Sequence, residues 1–226
     1  MVPAAPSISL DQGQPLQSTF GGLKRTLKGI GTTLGLATAA LPAASCWLES
    51  RLTSRDELFL FWGQAFALVP GLPGKYLRKG FYRLTLQACS LDCDIGFMSY
   101  FSDRRTEVGR RVYVGFGVCI GVVSLGEGCL IGNRASIING GDQHRLGPDG
   151  RLLPFDRTAS RRVRIGQETW IGESAVIMAD VGSRCVVSAG GVVASPIPDG
   201  CLVGGNPARF VRKLIETAAA APAPIP

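Results

Sequence analysis

Ile165-Gly166-Gln167-Glu168-Thr169-Trp170-Ile171-Gly172 decides the architecture, because its Ile-Gly pair returns after six residues. Working outward, an aliphatic residue recurs about every six positions at Val108, Val114, Ile120, Leu125, Ile131 and Ile137. After a gap the series resumes at Ile165, Ile171, Ile177, Val181, Val187 and Val193. Eight of these twelve positions are followed by glycine, where 30 glycines in 226 residues would place about one or two. Four residues after the aliphatic the side chain is often small, as at Ser124, Cys129, Ala135, Thr169, Ala175, Cys185 and Gly191. A sandwich strand would alternate with period two and a helix with period 3.6, and neither fits. One inward aliphatic per six residues suits a triangular parallel coil, with three short strands in each turn of roughly 18 residues. Glycine suits its corners, which require either a positive φ or space that a Cβ would fill. Spacings of five (Ile120 to Leu125) and four (Ile177 to Val181) are faults that corners absorb. The polar stretch between Ile137 and Ile165 predicts a loop expelled from the coil over 139–164, and such a loop on a rigid solenoid is a functional candidate.

A chain of 226 residues can bury a sizeable core without metals or disulfides. Hydrophobic residues make up 46% and charged residues 18%, which excludes a largely disordered chain. The formal charge of +7 favours anionic partners such as phosphorylated cofactors or acidic lipid. A nucleic-acid binder is not expected, since the basic residues scatter among loop, N-terminal segment and tail with no interleaved aromatic motif. Seven cysteines, several in apolar stretches, read as buried reduced thiols. With one histidine, His144, and no CxxC pair the zinc signatures lack ligands, and Cys89 and Cys93 read as packing thiols, a shared metal being the minor alternative.

Residues 1–22 are rich in Pro, Gln, Ser and Gly and read as a disordered tail, and Thr217–Pro226 as an Ala/Pro tail. Gly29 to Leu48 carries no charge and follows Lys24, Arg25 and Lys28, which superficially resembles a membrane span diluted by glycine, proline and hydroxyl residues. Glu57 to Val69 is an apolar helix candidate stopped by Pro70-Gly71-Leu72-Pro73-Gly74, and Lys75 to Gln87 a basic amphipathic one. The region 23–100 is expected to be a helical cap that covers the open edge of the coil, with peripheral membrane contact through residues 57–87 as a second role. The coil is expected over 101–206 and a short C-terminal helix over 207–216.

From Val108 to Leu214 the sequence resembles the hexapeptide-repeat acyltransferases, which include sugar O-acetyltransferases, serine acetyltransferase and xenobiotic acetyltransferases. The motifs are the Ile165–Gly172 stretch quoted above, Val187-Ser188-Ala189-Gly190-Gly191-Val192-Val193 and Gly205-Asn206-Pro207-Ala208-Arg209. The resemblance implies a left-handed parallel β-helix, a homotrimer with active sites between subunits, and acetyl-CoA or another acyl-CoA as co-substrate without a metal. His144, in Asn139-Gly140-Gly141-Asp142-Gln143-His144-Arg145, resembles the family's catalytic histidine, a residue suited to removing an acceptor proton near neutral pH. Asp142 is a candidate to hold its tautomer and to line the substrate site. Trp170 resembles a tryptophan beside the bound substrate or pantetheine arm. Ala189 and Gly190 resemble backbone positions along the pantetheine, and Arg209 and Arg212 the basic residues that meet nucleotide phosphates. Two departures matter: Ala194-Ser195 stands where many members carry Thr-Lys, and Gly117 where galactoside-type enzymes place an acceptor-holding asparagine. The implied activity is O-acetylation of a sugar or polysaccharide precursor in the cytoplasm, the inner face of the membrane included. A non-catalytic hexapeptide-repeat scaffold is the alternative, and a γ-carbonic-anhydrase site is excluded because it needs three histidines.

Overall fold

A computed structural model describes residues 16–53, 55–139, 147–153 and 160–214. Three helices come first, α1 (Leu16–Leu52), α2 (Glu57–Ala67) and α3 (Gly71–Thr85). The coil follows turn by turn. Its first turn is β1 (Ala88–Cys89), β2 (Cys93–Ile95) and β3 (Tyr100–Phe101), and its second β4 (Glu107–Val108), β5 (Val112–Val114) and β6 (Cys119–Ile120). The third is β7 (Val123–Leu125), β8 (Leu130–Ile131) and β9 (Ser136–Ile137), and the fourth β10 (Val163–Ile165), β11 (Trp170–Ile171) and β12 (Val176–Ile177). The fifth holds β13 (Val186–Val187) and β14 (Val192–Val193), with Val181 bridging to Ile165 in place of a first strand. Then come β15 (Cys201–Gly204) and β16 (Arg209–Lys213).

Strands one turn apart pair in parallel and make three faces: β1-β4-β7-β10, β2-β5-β8-β11-β13-β15-β16 and β3-β6-β9-β12-β14, called here the first, second and third. All twelve repeat aliphatics point inward and are at most 3% exposed. The glycines that follow them have ordinary backbone angles, so space is what they supply. A Cβ on Gly166 would lie 2.3 Å from Ser183 N, and one on Gly172 2.5 Å from Ala189 N. Positive φ falls two residues later, and non-glycine residues carry it at Arg111, Arg134, Glu168, Ser174 and Arg184. Buried hydroxyls tie turn to turn: Thr169 Oγ1 donates to Gly182 O (2.7 Å) and accepts from Cys185 N (3.1 Å).

The coil starts at Ala88 rather than at 101, inside the stretch assigned to the cap. Its first inward residues are Cys89, Ile95 and Phe101, a set in which the aliphatic signal is broken twice. Helix α1 likewise begins at Leu16, within the segment read as a tail. The C-terminal helix expected over 207–216 is corrected to β16, antiparallel to β15. The last turn leaves an open edge of unpaired backbone groups, and Arg209-Phe210-Val211-Arg212-Lys213 satisfies it as a strand, being too short to stand as a helix.

At the other end the helices cover the first turn. Phe59, Phe66, Phe81, Tyr82 and Phe101 pack ring against ring, and Phe101 N donates to Tyr82 Oη (3.2 Å). Arg78 is buried and donates to the carbonyls of Ile95, Phe66 and Val69 at 2.8–3.0 Å. Burial pulls the Lys79 pKa down while the nearby Asp94 carboxylate partly offsets it. Lys75 pairs with Asp94 at 2.8 Å. Three cations of Lys75–Gln87 therefore have partners within the protein: Arg78 on the carbonyls of α2 and of the first coil turn, and Lys75 and Lys79 beside the Asp94 carboxylate.

Candidate active site

The expelled loop leaves after β9, at the corner between the third and first faces, and returns at β10. Asn139 marks its root: its buried Oδ1 accepts from Val122 N (2.6 Å), bridging to the previous turn. His144 and Asp142, five and three residues further on, lie outside the described residues. On the returning side the loop is tied down by Arg162, which donates to Glu107 Oε1 (2.7 Å), Gln87 Oε1 (2.6 Å) and Arg105 O (2.7 Å), and by Arg161 to Asp180. These two cations of the loop thus anchor it.

Beside this root is a pocket of about 380 Å³ lined by Arg55, Asp56, Glu57, Leu60, Ser102, Asp103 and Asn139. Helix α2 supplies one wall with its first turn and the coil supplies the other from the residues after β3. Asp103 is nearly buried, and Arg105 holds it with Nε on Oδ1 (3.0 Å) and Nη2 on Oδ2 (2.9 Å). Asp56 lies 3.6 Å from Arg104. Carboxylates, an amide, a hydroxyl and a guanidinium around one pocket form a set that donates to and accepts from hydroxyl groups. The hexad reading missed this pocket, because Arg55, Asp56 and Glu57 lie outside the repeat and Ser102-Asp103 in its disguised first turn. In sequence Asn139 stands only at the start of the histidine stretch.

Trp170 lies elsewhere. It sits on the outside of β11, 53% exposed, in the second face, which is opposite the loop corner of the triangular coil. Register places Trp170 beside Val186, Val186 beside Leu202 and Leu202 beside Arg212, so these four form one straight outward row. At about 4.8 Å per strand the row runs about 14 Å from the indole to the arginine. Ala189 and Gly190 form the corner that follows β13, with Gly190 at φ +67° and open space where a Cβ would stand. Arg209 pairs with Gly204 on the same terminal hairpin and is exposed. The structure thus gathers Trp170, Ala189, Gly190, Arg209 and Arg212 along one face and its end, and puts the root of the His144 loop on the far side.

No family model matches the chain. Galactoside O-acetyltransferase of Escherichia coli (strain K12) is 30% identical over 125 residues, covering 52% of this chain and 58% of that protein. A hexapeptide-repeat-containing acetyltransferase of Vibrio cholerae O1 biovar eltor, solved with acetyl coenzyme A, superimposes with a TM-score of 0.56 at 20% identity. That likeness covers 80% of this chain and 89% of the other and carries the fold. Nodulation protein L of Rhizobium meliloti (strain 1021) is 31% identical over 180 residues, 76% of this chain and 86% of that protein. The chain belongs to the hexapeptide-repeat acyltransferases. It spans 27–58% of the length of the serine and galactoside acetyltransferases it matches.

Proposed function

We propose that the chain is an acyl-CoA-dependent O-acetyltransferase acting on a hydroxyl of a sugar or polysaccharide precursor, with His144 as general base. The observation that carries this reading is the pocket of hydroxyl-binding groups at the root of the loop that bears the chain's one histidine. The neutral imidazole removes the acceptor hydroxyl proton as the oxygen attacks the thioester carbonyl. The tetrahedral intermediate collapses with loss of the coenzyme A thiolate, which takes that proton back from the imidazolium. Asp142 accepts from the second ring nitrogen and fixes the tautomer. The row from Trp170 to Arg212 is the donor side, with Arg209 and Arg212 on the nucleotide phosphates and the acyl end toward the indole. Because that row and the loop root occupy opposite sides of one chain, the complete site joins the second face of one copy to the loop corner of the next. This agrees with the homotrimer that the family resemblance implies.

The test is His144→Ala assayed with acetyl-CoA and a panel of sugar acceptors, alongside calorimetric titration with coenzyme A. Turnover should fall at least about a hundredfold, the low end of what general base catalysis supplies, with coenzyme affinity unchanged. Equal turnover removes His144 from the mechanism, and a folded parent protein that binds no acyl-CoA would favour the scaffold reading.

A further inference from the structure

We propose that the outer face of α1, continued by residues of α2 and α3, seats the protein on the surface of an anionic lipid bilayer. Leu27, Ile30, Leu34, Leu41 and Leu48 are all more than half exposed, Leu41 to 82%. Across an apolar groove of about 420 Å³, lined among others by Leu34, Thr38, Leu72 and Pro73, the surface continues to Leu72, with Leu68 and Phe61 also bare. Side chains of this size left in water are the kind of patch that marks an interaction surface.

The identity of the partner follows from charge and from the width of the patch. No charged residue occurs from Gly29 to Leu48, while Arg25 and Lys28, the latter 3.5 Å from Asp92, stand before this stretch and Arg51 after it. The one acid in the last turn of α1, Glu49, accepts from Leu58 N at the start of α2 (2.9 Å). Trp47 lies at the same end, half exposed under the Arg51 guanidinium at 4.8 Å, an arrangement suited to a headgroup layer. Leucines at 27, 34, 41 and 48 also keep a seven-residue spacing, which would suit a second copy of the helix. That alternative fits less well. The exposed positions 33, 34, 37, 38, 40, 41, 44, 47 and 48 spread over about half the circumference at 3.6 residues per turn, wider than a coiled-coil seam. Their flanks are Ala and Thr in place of the charged pairs that guide helix association in water.

The helix is long and apolar enough to cross a bilayer over Arg25–Leu52, but its inner side is committed to the protein. Gly35 and Gly80 meet backbone to backbone, so that a Cβ on Gly80 would lie 2.4 Å from Gly35 O, and Ala39 and Cys46 are buried. A spanning helix would give up those contacts, so α1 lies along the interface. Helix α2 carries Glu57 and Leu60 on the pocket, with bare Phe61 and partly exposed Leu58 beside them, which sets the pocket within about one helix diameter, 10–12 Å, of the lipid.

Vesicle flotation of the full chain tests this, with phosphatidylcholine vesicles and with vesicles that also contain phosphatidylglycerol. The chain should float with the anionic vesicles and bind the neutral ones at least about tenfold more weakly. Leu34→Glu/Leu41→Glu should lose binding about tenfold or more while keeping its melting curve, and Leu41→Ser should weaken it measurably with no effect on folding. Failure to float with either vesicle, or unchanged flotation of both variants, overturns the proposal. So does a drop in oligomer mass for the double variant without vesicle binding by the parent, which would assign the face to a second copy. Resistance of the bound chain to alkaline carbonate extraction would overturn surface seating in favour of a span.

Discussion

Gly166→Ala isolates the role of the repeat glycines. The residue has ordinary φ, so alanine is conformationally acceptable there and, by narrowing the unfolded ensemble, would on its own stabilise the fold by about 0.4–1 kcal/mol. The new methyl would stand 2.3 Å from Ser183 N and 2.5 Å from Gly182 C, both backbone atoms of the next turn. Relieving that to an ordinary contact of about 3.4 Å requires the turns to part locally by about 1 Å, against a strand spacing of about 4.8 Å. Three ladder bonds cross this corner at 2.8 Å: Gly166 N to Val181 O, Val181 N to Arg164 O and Arg184 N to Gln167 O. Opened by about 1 Å they pass beyond hydrogen-bond range, at about 1 kcal/mol each. The net expectation is a loss of about 2 kcal/mol, read from urea unfolding at matched protein concentration. Gly190→Ala is the control, since its Cβ meets nothing within 4 Å and only the +67° backbone resists, at about 1–2 kcal/mol. A Gly166→Ala protein as stable as its parent, or less affected than Gly190→Ala, would refute the close-approach account.

Removing the Asn139 side chain with Asn139→Ala should strand the buried Val122 N–H, lower stability by about 1–3 kcal/mol in thermal unfolding, and raise the acceptor KM by unpinning the loop root. Arg209→Gln/Arg212→Gln should weaken coenzyme A binding about tenfold or more in calorimetry while leaving affinity for dephosphorylated pantetheine unchanged, since the loss falls on the phosphates. Burial pushes the Cys129 thiol up to about 11 from 9.0, so in the native state near pH 8 it should react about a hundredfold more slowly with a disulfide reagent than in the unfolded chain. The same shift gives a pH dependence: the folded state favours the protonated thiol, so stability is complete below about pH 9. It then declines as pH rises through 11, by up to about 3 kcal/mol, and Cys129→Ala should flatten that limb.

The coil was legible because its inward residues are chemically uniform: one aliphatic per face, with a neighbour that must be glycine wherever the next turn leaves no room. Where either condition lapses, legibility lapses too. Cys89 and Phe101 fill inward positions of the first turn with a thiol and a ring, so the period fades there although the geometry does not. Arg209–Lys213 alternates nothing that marks it as a strand, since all five residues are exposed; it is one because an open edge lies beside it. For Arg78 and Lys79 the sequence offers a cap with lipid contact as a second role, and the carbonyls that receive Arg78 are hidden by sequence separation.

The same contrast divides the candidate site. The outward row proposed for the donor has Trp170, Val186 and Leu202 at repeat positions one turn apart, whereas Arg212 joins it on the strand that closes the sheet; the family resemblance marked Trp170 and Arg212, and the period alone marked neither. The pocket proposed for the acceptor is assembled where the repeat is interrupted, from the start of α2, the corner after β3 and the root of the expelled loop. A coil turn cannot change without disturbing the turns on either side, as the close approach at Gly166 shows, whereas Arg55, Glu57 and Leu60 of the pocket stand outside those stacked turns. Variation in acceptor should therefore concentrate in Arg55–Leu60 and in the 139–162 segment, with the row left intact. Exchanging those two segments with the corresponding ones of a relative of known acceptor should transfer acceptor preference while leaving the coenzyme A dissociation constant within about threefold of the parent, less than 1 kcal/mol. A chimera that keeps the parental acceptor preference would place recognition on the coil itself.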